Sequence, residues 1–469
     1  MSSTSVRGGR LAGLVVAICW LVVLFDGVDL FIYGAVLPGM LDDPSLGLTK
    51  EAAGSLGSYA TFGMLLGALG SGPLTDRIGR KKMIIASTAV FSLASGICAA
   101  APSLTVFGLG RFVAGLGLGG LLPIALTMVA EFAPTRRRNL LIGSLMTAHQ
   151  AGGILAATLG LWLLDSYGWR SAFWIGVLPL FIAVPLVARF LPESLSFLLS
   201  RGRTEEARRL ADDYGVALPV PTSSVSSTSR SASSSPSPLA SPAAASSTSR
   251  SAPSSASSFD RAGGVLDLFR GGRWQPTLLF WLASFGGLLL VYGVNTWLPT
   301  MMRAEGYDLG SALSFLIVIN LGGIVGMLVA GRVADRFGAI PVAAVWFALT
   351  AVGVYLLGIR TPIAVTYTIV FLSGVWLFSA QTMVYAAVTT RYDTPNRATA
   401  VGSTAGMGRF GAVLGPWLGG QLMAGGNQGW GFTVFAGAAA FAMVFVLLAG
   451  LRSRPQSTAE PRTPATATH

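Results

Sequence analysis

Asp26 and Asp29 lie in the middle of an apolar run from Leu11 to Met40, within Phe25-Asp-Gly-Val-Asp-Leu-Phe-Ile-Tyr33. A spacing of three puts both carboxylates on one face of a helix. Ionised carboxylates at membrane depth are costly, so they face a bundle interior and mark ion or substrate paths. Burial beside a like charge makes ionisation expensive, and a group that is easily neutralised can carry a proton. The structural alternative is a pair of acceptors tying the first helix to its neighbours. Arg409 poses the converse problem in Gly406-Met-Gly-Arg-Phe-Gly-Ala-Val-Leu-Gly-Pro416. A buried guanidinium needs an anion and clamps a carboxylate with two parallel bonds. The anion is either a substrate carboxylate or a protein Asp; otherwise the arginine snorkels to the membrane edge. His149 is a second candidate for proton movement, or a plain hydrogen-bonding residue. Gln150 beside it is a neutral hydrogen-bonding group expected to face Arg409.

Arg111 heads a ladder, Arg-x-x-x-Gly115-x-x-x-Gly119-x-x-x-Pro123, whose glycines let a neighbouring helix approach closely. Tyr292, Asn295 and Trp297, then Asn320, then Trp376, Gln381 and Tyr385, offer stacking faces with amide and hydroxyl partners. Tyr292, Asn295, Gln381 and Tyr385 are the candidate substrate contacts among them, although aromatics in membrane helices also serve packing and interface roles. The charged loop Gly72-Pro-Leu-Thr-Asp76-Arg77-Ile-Gly79-Arg80-Lys-Lys82 is suited to gating. Asp76 can cap a neighbouring helix N-terminus, and Arg77, Arg80 and Lys81 can pair with carboxylates. Glu131, with Arg138 seven residues on, is the expected partner set, and Glu131 also counts among the proton-handling carboxylates. With two cysteines and two histidines, no metal site, disulfide framework or enzymic nucleophile and base can be assembled. Neither an enzyme nor a cofactor is expected.

These residues must be positioned by membrane helices. The chain is 52% hydrophobic and 11% charged, where a soluble domain is about 25% charged. Twelve spans are expected, at 12–40, 52–75, 83–101, 104–130, 140–164, 171–191, 275–300, 311–334, 340–359, 362–389, 398–424 and 429–451. A net charge of +12 would suit nucleic acid on a soluble protein, but here the arginines gather in alternate loops. The positive-inside rule then puts both termini in the cytoplasm, and an even helix count agrees. The first run is too long for a signal peptide and reads as an uncleaved helix.

The organisation expected is a six-helix bundle at 1–191, a cytoplasmic loop at 192–274, a second bundle at 275–451 and a tail at 452–469. Within the loop, 216–258 is rich in Ser, Ala and Pro and too poor in apolar residues to offset its chain entropy, so it reads as a disordered linker. Short surface helices are expected at 205–214 and 265–269. The two bundles are repeats. An offset of 259 carries Asp76-Arg77 onto Asp335-Arg336, Gly63 and Gly67 onto Gly322 and Gly326, Gly115 onto Gly374, Arg138 onto Arg397 and Gly152 onto Gly411. An offset of 261 carries Leu37-Pro38 onto Leu298-Pro299, and the two aspartates then become Gly287 and Leu290. Arg409 corresponds to Gln150. The fold therefore does not itself require these charges. Parallel six-helix repeats place a substrate site at the midplane between halves.

The 72–82 loop resembles the cytoplasmic signature of the major facilitator superfamily, and the resemblance covers essentially the whole chain. It implies an all-α membrane fold of twelve helices in two bundles related by a pseudo-twofold axis, with Asp76, Arg77, Arg80, Asp335 and Arg336 in gating and Arg111 tied to proton movement. Asp-Gly-x-Asp in the first helix, Tyr292-x-x-Asn-x-Trp-Leu-Pro-x-x-Met302 and the 406–416 string narrow the resemblance to the aromatic acid:proton symporters, which take up benzoate, hydroxybenzoates and gentisate. It implies Asp26 and Asp29 for proton coupling, Arg409 for the substrate carboxylate, an inner-membrane location and a role feeding aromatic catabolism. A single chain is expected to suffice. His149-Gln150 replaces the apolar and small residues expected there, and the linker is long, which leaves the exact substrate open. The alternatives are a proton symporter of another organic acid or a sugar-like solute, a drug:proton exporter and a membrane sensor. The fifth span lacks the proline of the antiporter motif, and the linker has no features of an output domain.

Overall fold

The computed structural model describes residues 3–134, 138–218, 265–269, 274–392, 394–425 and 429–452. The expected linker from residue 219 on, Arg136, Arg137 and the tail from residue 453 on lie outside the described residues.

Among the described residues the secondary structure is helical throughout. The first half comprises α1 (Ser3–Leu41), α2 (Lys50–Ile78), α3 (Arg80–Ala99), α4 (Leu104–Leu118), α5 (Leu121–Phe132), α6 (Arg138–Tyr167), α7 (Trp169–Ile175) and α8 (Leu178–Phe190). Two short helices follow, α9 (Leu195–Ser200) and α10 (Thr204–Tyr214), and then a 3-10 turn, Val265–Phe269. The second half comprises α11 (Trp274–Ala304), α12 (Leu309–Phe337), α13 (Ala339–Leu357), α14 (Ile363–Arg391), α15 (Thr394–Ala424) and α16 (Trp430–Leu451). Both expected surface helices are present; α9 is an addition.

Eleven segments among the described residues are long and apolar enough to cross a membrane, with α4–α5 and α7–α8 each counting as one. The twelfth expected span, within the 31-residue α15, is less apolar because it carries glycines, hydroxyls and Arg409. It packs between α2 and α11 rather than against lipid alone.

Two spans expected to be continuous are broken. The fourth breaks at Gly119-Gly120, ahead of Pro123, and the sixth at Gly176-Val177, ahead of Pro179. Glycine weakens a helix interior, and proline supplies no amide to the preceding turn. The repeat partner of α4–α5 has Phe378, Ser379 and Thr382 at the corresponding places, and α14 runs unbroken.

Repeat-related contacts recur atom for atom. A methyl group on Gly63 would collide with the Phe112 carbonyl oxygen, and one on Gly322 with that of Phe371. Gly67 against Leu116 matches Gly326 against Val375; Gly115 against Ala60 matches Gly374 against Ile319; Gly152 against Leu24 matches Gly411 against Phe285. Each is a helix backbone lying directly on its neighbour, which only glycine permits. Gly79 and Gly338, also equivalent, turn the two charged loops at φ of +94° and +85°, a region L side chains avoid. The halves meet through α1 with α11, α2 with α15 and α6 with α12.

Candidate functional site

Asp26 is the midpoint of the apolar segment Leu11–Leu41. Arg409 is fifteen residues from either end of α15, about 22 Å along the axis. No side chain spans that distance, so the snorkelling alternative for Arg409 does not hold. Arg409 is close enough for its charge to act on Asp26, His149 and Tyr292, and Tyr292 in turn interacts with Asp26 and Tyr385. These five residues come from α1, α6, α11, α14 and α15, so the cluster draws on both halves. Arg409, His149, Tyr292 and Tyr385 are partly exposed. Asp26 is 2% exposed, and among the described residues its Oδ1 has no hydrogen-bond partner. His149 Nε2 lies 3.9 Å from Asp26 Oδ2, too far for a hydrogen bond, and its ring meets Phe31 edge-on.

Arg409 Nη2 donates to the carbonyl of Gly119 in the opposite half, at 3.3 Å. Local sequence explains this acceptor. In a continuous helix the Gly119 carbonyl would be taken by the amide of residue 123, but that residue is proline and has none. The broken helix thus presents an unclaimed carbonyl across the interface.

Asp29 has a different partner. Arg111 Nη1 donates to both its Oδ2, at 3.2 Å, and its carbonyl, at 3.1 Å. Arg111 is 2% exposed and stacks over Tyr33 and Phe173. Three residues along a helix turn through about 300°, so the aspartates diverge by about 60°. Asp29 meets α4, while Asp26 looks toward α6 and α15. In the second half the Asp29 and Arg111 positions are Leu290 and Val370, both fully buried. The ion pair is replaced as a unit.

Several expected residues stand elsewhere. Glu131 pairs with Arg80 at 2.5 Å, as expected from the charged loop, and so lies at the α5 end on the face where α1 begins, apart from the buried aspartates. Ser194 bonds both Glu131 and Arg80. Asp76 caps no helix through its side chain. Glu193 does this instead, accepting from the amides of Arg80 and Lys81 at the start of α3 and from that of Ser194 just before α9. Arg201 donates to the carbonyls of Asp76 and Arg77 at the end of α2. The side chains of Asp76, Arg77 and Asp335 make no ion pair or hydrogen bond among the described residues, and Arg336 stacks over Phe337. Gln150 is buried but does not bond Arg409; its Oε1 is without a partner among the described residues. Gln381 is buried against α11, donating to Ser284 Oγ at 3.0 Å. Asn295 donates to the Val291 carbonyl and faces the Asn320 amide.

The twofold repeat of membrane helices agrees with a wider comparison. The family model of the Major Facilitator Superfamily matches residues 19–409 and 320–468. The chain belongs to the major facilitator superfamily. Among its relatives in that superfamily, a 4-hydroxybenzoate transporter, PcaK, of Pseudomonas putida is 33% identical over 454 residues, covering 95% of this chain and 94% of the relative. A gentisate transporter of Corynebacterium glutamicum is 32% identical, covering 89% of this chain and 82% of its own. A benzoate transport protein of Acinetobacter baylyi is 32% identical, covering 87% and 83%. Among solved structures, a partially occluded inward-open form of the xylose transporter XylE from E. coli superposes with a TM-score of 0.70 at 19% identity, covering 93% of this chain and 97% of that one. That likeness shows the fold. The relatives are transporters rather than enzymes, and this superfamily member is a multi-pass membrane protein.

Proposed function

We propose that this protein imports a small aromatic carboxylate together with protons, by alternating access, across the cell's inner (plasma) membrane. Both termini face the cytoplasm, a single chain is the working unit, and the proton gradient is the only energy source. Arg409 receives the substrate carboxylate, with Tyr292 and Tyr385 beside it for the ring. Asp26 and Asp29 load protons, and the Asp29–Arg111 pair ties the second carboxylate to the first half. The Arg80–Glu131–Ser194 cluster and the two Asp-Arg loops serve the cytoplasmic gate.

The observation that carries this reading is that Asp26 and Arg409 lie at mid-membrane within range of each other's charge, at positions where the internal repeat has Gly287 and Gln150. A carboxylate and a guanidinium so placed, neither fixed by the other in a short ion pair, leave the guanidinium free for an anion and the carboxylate free for a proton. The named relatives carry aromatic acids, which supports the substrate class.

Uptake of radiolabelled benzoate, 4-hydroxybenzoate and gentisate into proteoliposomes, with and without an inward proton gradient, tests the proposal. Gradient-dependent accumulation that Asp29→Asn abolishes is expected. Accumulation indifferent to the gradient would remove the proton from the mechanism, and no uptake of any of the acids would remove the substrate class.

A further inference from the structure

Asp42 and Arg303 are equivalent positions in the internal repeat. The offset of 261 that relates Pro38 to Pro299 also relates Asp42 to Arg303 and Gly34 to Asn295. Both equivalent pairs touch. Arg303 Nη1 donates to Asp42 Oδ2 at 2.6 Å, and Gly34 packs on the Asn295 carbonyl. Residues related by a twofold that also contact one another lie on its axis. Thus α1 and α11 cross on the pseudo-twofold axis, and Asp42–Arg303 closes that axis on the face opposite the termini. Perfect symmetry would set Asp against Asp or Arg against Arg, and like charges at such a distance repel. Here the two halves carry opposite charges at the same position.

We propose that Asp42 and Arg303 are a positioning pair that holds the face opposite the termini shut and so sets the resting access state of the transport cycle. The inference uses the alternating access of the reading above but not its substrate or its proton. The neighbouring acid does not compete for Arg303. Asp43 Oδ1 accepts from the Ser45 amide and hydroxyl and its Oδ2 from Trp169 Nε1, contacts that also hold its carboxyl below the usual range. Beneath the pair, the halves close through Gly54 on Gly420, backbone to backbone, and through Ser58 Oγ donating to the Val413 carbonyl at 2.7 Å. The void left below, lined by Gly34, Gly57, Thr61, Asn295 and Thr296, is about 10 Å³, room for a single water at most. Glycine contacts are matters of fit and carry no charge. The ion pair alone among these contacts is open to water, with Arg303 36% and Asp42 59% exposed at the side chain. It is therefore the contact that ionic strength and substitution can weaken without disturbing the packing.

The test uses the full-length protein in proteoliposomes, with the buried Cys19 and Cys98 replaced by serine and one reporter cysteine at Thr296. The readout is its rate of labelling by a membrane-impermeant maleimide, which needs neither substrate nor gradient. Failure of the aromatic-acid reading would therefore leave this result interpretable, and the reverse also holds. Slow labelling is expected in the parent. D42N and R303Q should each speed it about two- to five-fold, the population shift an exposed ion pair provides. The exchange D42R/R303D should return it to the parent rate. Salt at about 1 M should raise the parent to the rate of D42N and leave D42N unchanged. Unchanged labelling in both single variants, or a charge exchange as fast as either single variant, overturns the proposal. The salt arm needs no substitution at the pair, so a parent rate indifferent to salt overturns it even where a variant fails to fold.

Discussion

The internal repeat contains its own experiment on the buried ion pair. Arg111 and Asp29 are 2% and 1% exposed, while their equivalents in the second half are Val370 and Leu290, both 0% exposed. Removing one member strands the other. Arg111→Val leaves the Asp29 carboxylate buried with no cation, and Asp29→Leu leaves a guanidinium whose Nε is already without a partner among the described residues. Breaking a buried pair in this way costs about 3–5 kcal/mol. Replacing both members by apolar groups that pack is close to neutral, and the second half shows a packing that accepts that combination. The expected result is two strongly destabilised single variants and a double variant, Asp29→Leu with Arg111→Val, that regains most of the parent stability. Thermal unfolding in detergent, followed by intrinsic fluorescence, gives the three differences and the coupling between sites. The same double variant should bind substrate yet fail to accumulate it under a proton gradient. A double variant as unstable as the two single losses added together would refute the idea that the pair is exchanged as a unit. A stable double variant that still accumulates substrate would refute the assignment of a proton to Asp29.

Arg409→Lys keeps the charge but loses the planar fork, and KM for an aromatic acid should rise about tenfold or more in proteoliposome uptake. Pro123→Ala supplies an amide opposite the Gly119 carbonyl, so Arg409 loses its cross-interface acceptor. Relieved of that competition, the guanidinium should bind carboxylate more tightly, with KM falling by about threefold or more. Gly115→Ala and its equivalent Gly374→Ala should each lower stability by about 1–3 kcal/mol, and a thermal-unfolding series in which only one does so would show that the two contacts are not alike.

Much of the fold was legible because bilayer spans and the repeat leave long-range patterns in sequence. Eleven of the expected spans, both surface helices and the 259 register appear among the described residues where hydropathy and glycine placement put them, and the twelfth span lies in the less apolar α15. The helix breaks were not foreseen, because a hydropathy window averages over Gly119-Gly120 and Pro123 and registers only that the segment is apolar. At the site, the residue types were legible and the pairings were not. Spacing placed Asp26 and Asp29 on one side of α1, but a divergence of about 60° sends them to different neighbours. Glu131 was expected both as a partner of the charged loop and among the proton-handling carboxylates; it pairs with Arg80 and Ser194 at the end of α5, away from Asp26 and Asp29. Glu193 and Arg201, which cap the helix ends flanking Gly79, follow the last span of the first half and are distant in sequence from the loop they hold. Gln150 was expected opposite Arg409 from the pseudo-symmetry, but equivalence under an approximate axis brings residues together only when they lie on it.

The glycine contacts repeated through both halves bear on mechanics. Where one backbone rests on another, a small slide drives an α-carbon into a carbonyl oxygen, so α2 with α4, α12 with α14, α1 with α6 and α11 with α15 behave as stiff beams bolted in pairs. Stiff pairs cannot absorb bending along their length. The displacement needed to open either face must then be concentrated where helices are interrupted, between α4 and α5 and between α7 and α8, and at the seams between halves. The first of these is also where Arg409 reaches across to Gly119, so the interrupted helix and the arginine proposed to bind the anion share one point of contact.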